Sequence, residues 1–165
     1  MIQIPKLLKS FTTLSLYKIG IHIGQELDQM RLEIRCSSRY CLSWIQFFGD
    51  QQDQSELVNV GYGRVTSITF STAGGQGEEQ DMEIFYGLQH IYMFLRELHA
   101  VRNRQPSFQS LPLLARRSEE QIEEEGANEQ IDAQMKNKGN NGDIKYWANQ
   151  AKEATLKRFI HRRRR

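Results

Sequence analysis

Five aliphatic residues, Ile84, Leu88, Ile91, Leu95 and Leu98, recur at intervals of four, three, four and three, and no other pattern in the 165-residue chain constrains its fold as strongly. That spacing is the 3.6-residue period of an α-helix with one apolar face. Phe85, Tyr92 and Phe94 widen the surface, and the pattern predicts a helix over residues 80–103. Gly87 weakens that helix by about 1 kcal/mol relative to alanine and marks a point where a neighbour can approach closely. Such a face must be covered. A second copy of the helix would cover it, so homodimerisation through the stripe from Ile84 to Leu98 is one expectation. A layer built from the rest of the chain is the other.

Residues 14–71 offer that layer as alternating patterns. Ile19, Ile21 and Ile23 alternate with Lys18, Gly20, His22 and Gly24, and Met30, Leu32, Ile34 and Cys36 alternate with Arg31, Glu33 and Arg35. A period of two puts one set on each face of a strand, and two such runs joined by a polar loop suggest an antiparallel hairpin with one wet face. Over residues 40–48, Tyr40, Leu42, Trp44 and Phe48 fall on one side and Cys41, Ile45 and Phe47 on the other, as in a strand covered on both faces. Residues 57–62 and 64–71 read as a fourth and fifth strand, with Thr66, Ile68 and Phe70 sharing a face. The expected fold class is therefore α+β, an antiparallel sheet of about five strands packed on one long amphipathic helix. That globular domain occupies residues 1–104.

Nearly all the large apolar residues precede Leu114. Pro106, Pro112 and the polar run between them mark an irregular connection. Glu119, Glu120, Glu123, Glu124, Glu125, Glu129 and Asp132 then form an acidic block with isolated Ile122, Ile131 and Met135. So little apolar surface does not offset chain entropy, and residues 105–142 read as a disordered acidic linker with a frayed helix near 118–125. Asp143 is a suitable N-cap for a final helix reaching about Ile160. Ile144, Trp147, Ala151, Ala154 and Phe159 lie toward one face of it. Residues 143–165 thus form a basic amphipathic helix with an arginine tail. No internal repeat is visible.

The net charge of +2 is a cancellation of the acidic block by this tail, where Lys157, Arg158, Arg162, Arg163, Arg164 and Arg165 crowd six cations into nine residues. Arginine stays protonated and offers donors matched to phosphate. The leading expectation is a non-enzymatic nucleic-acid-binding accessory protein, for RNA or non-specific DNA, whose tail neutralises backbone phosphates and releases counterions. Tyr146 and Trp147, just upstream, are candidates for stacking on unpaired bases. The competing class is a protein-interaction or dimerisation module whose tail serves as a nuclear localisation signal read by an import receptor. An anionic membrane surface is a third partner for a basic amphipathic helix and is ranked last. The acidic block offers an internal competitor that would fold back on the arginines.

Other features carry less. Lys18, Arg31, Arg35, Arg39 and Arg64, with Tyr17 or Tyr62, would form a phosphate platform on the wet face of the sheet. The glycine-rich loop at 71–79 lacks the lysine and hydroxyl of a P-loop, and Glu78, Glu79 and Asp81 place negative charge where phosphate would sit. His22, His90, His99 and His161 have no metal-ligand spacing, and no metal or cofactor is expected. Cys36 and Cys41 are expected to be reduced, with a bridge between them open if residues 37–40 make a tight turn. No arrangement indicates an enzyme. Residues 1–9 do not resemble a signal peptide, because Pro5, Lys6 and Lys9 break the apolar run. An intracellular location, in nucleus or cytoplasm, is expected.

Overall fold

A computed structural model describes residues 4–71, 81–138 and 142–162, with side chains described for 6–71, 81–138 and 142–156. Among the described residues there are eight α-helices and no β-sheet. They are α1 (Ile4–Ser15), α2 (Gln25–Phe48), α3 (Gln51–Asn59), α4 (Tyr62–Ile68), α5 (Asp81–His99), α6 (Pro112–Glu124), α7 (Ala127–Gln134) and α8 (Asp143–Arg162). The expected α+β sandwich is therefore corrected to an all-helical fold.

The correction is instructive in α2, which replaces two expected strands. A helix turns about 100° per residue, so residues spaced three and four apart share a face. In α2 one such series, Leu32, Arg35, Arg39, Leu42 and Gln46, is buried. A second, on the opposite side, carries Met30, Ile34, Trp44 and Phe48 and is exposed. Superposing two apolar seams on one helix places Met30, Leu32 and Ile34 two apart, which imitates the period of a strand. The inward face is also unusually polar. Arg35 Nη1 donates to the carbonyl of Tyr17 at 3.3 Å and Arg39 Nη1 to that of Ser15 at 3.5 Å, while Arg31 Nη1 reaches the Ile21 carbonyl at 2.8 Å. Arg39 thus serves a carbonyl that the end of α1 leaves without an intrahelical partner, and Arg35 and Arg31, one and two turns earlier in α2, serve carbonyls of the connection that follows.

The remaining expected strands are also helical or turn. Ile19, Ile21 and Ile23 lie in the exposed turn between α1 and α2. Asp50 caps α3 with a reciprocal capping box to Asp53, in which each side chain accepts from the other residue's backbone N–H at 3.0 Å. In α4, Thr66 and Ser67 donate to carbonyls one turn back, which satisfies hydroxyls that would otherwise favour non-helical backbone.

The helix expected over 80–103 is α5, and it sits at the centre of the molecule. Ile84, Leu88, Ile91 and Leu95 enter one core cluster with Phe70, Ile122, Ile131, Ile144 and the alanines of α8. Phe94 and Leu98 enter a second with Leu8, Leu42, Leu57, Tyr62 and Val65. The stripe from Ile84 to Leu98 is therefore spent inside the chain, none of its five residues more than 7% exposed, and it leaves no face for a second copy. Gly87 does permit close packing: a Cβ there would overlap Thr69 Oγ1 of the turn after α4.

The expected disordered linker is corrected as well. Pro112, at the first position of α6, supplies a φ suited to helix initiation. Ser118, expected to open a helix, is buried mid-helix. Ile122 and Ile131, isolated in the sequence, are 1% and 0% exposed because α6 packs on α4 and α5, and α7 packs on α8, which carries both side chains into one core cluster. One large side chain per turn or two is enough when the receiving surface already exists.

Candidate functional site

The strongest sequence feature lies at the end of α8. This helix packs on α5 and α7 through Ile144, Ala148, Ala151 and Ala154, all buried, and the small alanines let its backbone come close. Among the residues whose side chains are described, Ala154 and Thr155 are the last buried ones, and the helix continues to Arg162. Lys157, Arg158 and Arg162 belong to this extension, whose side chains lie outside the described set, and Arg163, Arg164 and Arg165 fall outside the described residues altogether.

Trp147 is placed differently from the other expected contact residues. Its ring lies against Tyr92 at 5.7 Å and Phe85 at 6.3 Å, both on α5, and it is half-buried at the edge of the core. Its stacking surface is thus engaged in packing, whereas Tyr146 beside it is 56% exposed.

Four acids of the block are paired within the domain. Glu119 meets His99 Nε2 at 2.6 Å, Glu120 meets Arg116 at 2.9 Å, Glu125 meets Arg64 at 2.7 Å and Asp132 meets Lys152 at 3.0 Å. These acids are distributed around α6 and α7 by the helical period, and several find counterions within the domain.

The phosphate platform expected from Arg31, Arg35, Arg39 and Arg64 is not assembled. Arg35 and Arg39 are 4% and 3% exposed and point into the protein, Arg64 is on Glu125, and Tyr62 is fully buried against Phe94. The glycine-rich loop from 72 onward lies outside the described residues. Cys36 and Cys41 are both unbridged and sit five residues apart on one helix. The helical rise alone separates them by about 7.5 Å, beyond the roughly 7 Å a disulfide spans.

A cleft of about 490 Å³ opens between α2, α4 and α5, lined in part by Cys36, Arg39, Thr66, Glu83, Tyr86 and His90. Its chemistry is largely internal. Arg39 Nη2 pairs with Glu83 at 3.0 Å, and the Thr66 and Thr69 hydroxyls donate to carbonyls of α4. Burial, reinforced by the Arg39 charge, lowers the His90 pKa from 6.5 to about 4, so its ring is neutral near pH 7. Among the described residues no group of three or more His, Cys, Asp or Glu side chains is placed to hold a metal ion.

Sequence reasoning missed the outer face of α2. Tyr40, Trp44, Phe47 and Phe48 are 40–58% exposed, with Trp44 stacked on Phe48 at 4.9 Å. Next to them a groove of about 330 Å³ runs between α2 and Gln89, His90 and Met93 of α5. The signal for this face is a second three-four repeat in α2, hidden by the first.

Comparison with known protein families, with curated proteins and with solved structures finds no match to this chain. Among the described residues no helix is long and apolar enough to cross a membrane.

Proposed function

We propose that this chain is a non-enzymatic nucleic-acid-binding protein in which a helical domain presents α8 as an arginine-tipped arm. The observation that carries the reading is that α8, anchored on α5 through Ile144, Ala148, Ala151 and Ala154, stays helical to Arg162. The cations at its tip therefore extend from an element anchored on α5, which limits the entropy lost when they meet a phosphate backbone. Pairing of Glu119, Glu120, Glu125 and Asp132 inside the domain supports the same reading, because it reduces the competition an acidic block would exert. Lys157, Arg158 and Arg162 to Arg165 make the phosphate contacts. Trp147 drops out as a base-stacking residue, and Tyr146 takes that role.

The test is an anisotropy titration of labelled RNA and DNA at several salt concentrations. It compares the full chain with a variant in which those six cations are glutamine. Removal of all of α8 is unsuitable, since Ile144, Ala148 and Ala151 belong to the core. Affinity that falls log-linearly with salt, with a slope no steeper than about −5 for six contacts, and that disappears in the glutamine variant is the expected result. Equal binding by both proteins, or none by either at low salt, overturns the proposal. The arginines would then be read by an import receptor.

A further inference from the structure

Helix α2 is built inside out over much of its length. Besides Leu32 and Leu42, its buried face holds Arg35, Ser38, Arg39, Ser43 and Gln46, whereas Leu27, Met30, Trp44 and Phe48 on the opposite face are between 46% and 54% exposed. These residues belong to a regular series in which Cys41 is the one partly buried member. Leu27, Met30, Ile34, Ser37, Cys41, Trp44 and Phe48 follow intervals of three and four through three heptads, the seam of a coiled coil. The helix has 24 residues, so the seam is about 30 Å long; Trp44 and Phe48 border the groove toward α5, and Ser37 borders the cleft toward α4 and α5.

We infer that this seam is the interface of an antiparallel homodimer, in which α2 of one copy lies along α2 of another. Three observations select a second copy as the occupant. The first is steric. An antiparallel pairing about Ser37 sets Leu27 against Phe48 of the second copy, Met30 against its Trp44 and Ile34 against its Cys41. Every layer joins a larger side chain to a smaller one except the central pair of serines, which lets the helices approach. A parallel pairing would instead stack Trp44 on Trp44 and Phe48 on Phe48, large on large at one end of the seam.

The second is charge. The first turn of α2 carries Glu26 and Asp28, and its last turn is clamped by Arg102 and Arg104, which donate to the Phe47 carbonyl. The Arg104 guanidinium lies 3.8 Å over the Phe47 ring and is one-third exposed. Beside the seam, an antiparallel partner brings its Glu26 opposite Phe47 and hence next to Arg104. The helix dipoles oppose one another in the same arrangement.

The third is area. Leu27, Met30, Ile34, Trp44 and Phe48 of the seam, with Tyr40 and Phe47 beside it, are each 37–58% exposed and present on the order of 600 Å² of surface per copy, against the roughly 800 Å² per partner of a stable interface. The flanking polar residues supply the remainder. This is the upper end of the apolar patch a monomer leaves in water. The dimer is independent of the nucleic-acid reading. Where both hold, two arginine arms on one particle raise affinity through effective concentration.

Sedimentation equilibrium of the full chain at micromolar concentration tests it. The expected result is twice the chain mass, reverting to a monomer with unchanged helical circular dichroism in both Met30→Glu and Trp44→Glu. A wild-type monomer at tens of micromolar overturns the proposal, as does a dimer that survives both substitutions. Orientation, and the case where a variant fails to fold, are covered by cross-linking in the otherwise native chain. Ile34→Cys is expected to form an intermolecular disulfide with the native Cys41 under mild oxidation. A Cys41–Cys41 disulfide in the wild type would show a parallel pair and reject the antiparallel arrangement.

Discussion

Arg39 of α2 and Glu83 of α5 meet at 3.0 Å with the guanidinium 4% exposed, an ion pair that joins the N-terminal helices to the central one. Charges taken from water are stabilised only by good partners, and removing one member of a buried pair costs roughly 3–5 kcal/mol. Glu83 is 18% exposed, so solvent recovers part of that. Glu83→Ala is expected to lower the unfolding free energy by about 2–3 kcal/mol in urea titrations. Glu83→Gln, which retains a hydrogen-bond acceptor, is expected to lose less.

Gly87 and Thr69 make a second dependence between elements. Alanine at 87 would favour the helix by about 1 kcal/mol from propensity alone. It would also overlap Thr69 Oγ1 and lie 2.9 Å from Thr69 Cβ. Gly87→Ala is therefore expected to be net destabilising by about 1–3 kcal/mol. Thr69→Ala removes the hydroxyl and should rescue part of the loss. A double-mutant cycle measured by chemical denaturation would show a coupling energy of 0.5 kcal/mol or more.

Ile122 and Ile131 decide whether the acidic region belongs to the fold. Both are essentially buried, at 1% and 0% exposure. Truncation of a buried isoleucine to alanine costs about 2–5 kcal/mol, so Ile122→Ala and Ile131→Ala should each lower the thermal midpoint by several degrees. A chain whose residues 105–142 were a solvated tether would show no change.

His90 gives the fold a dependence on acid. Its pKa is about 4 in the folded protein against an ordinary 6.5, chiefly through burial and secondarily through Arg39. The unfolded chain therefore binds a proton that the folded one resists between those values, and stability falls as pH drops through the window. The contribution is on the order of 3 kcal/mol, fully present above pH 6.5 and lost as pH approaches 4. His90→Gln should flatten that part of the stability profile measured by denaturation at pH 4 to 7.

The amino-acid sequence by itself determined α5 and α8. In α5 the apolar stripe is continuous and of a single period, and in α8 the helix begins at Asp143 with Ile144 and Ala151 on its buried face, as the pattern requires. The sequence also concentrates its cations at residues 157–165, the end of the chain to which α8 leads. What it left ambiguous were segments whose helical faces carry mixed chemistry. Arg35 and Arg39 point inward only because carbonyls at the end of α1, and the Glu83 carboxylate for Arg39, wait for them there. Those partners come from 18 to 44 residues away in sequence. Once the arginines are inside, Met30, Ile34, Trp44 and Phe48 must face out, and the alternation that imitates a strand is the shadow of that choice. Ile122 and Ile131 were hidden for a related reason: a single apolar residue per helix becomes a core residue only when tertiary structure sets a surface such as α5 beneath it.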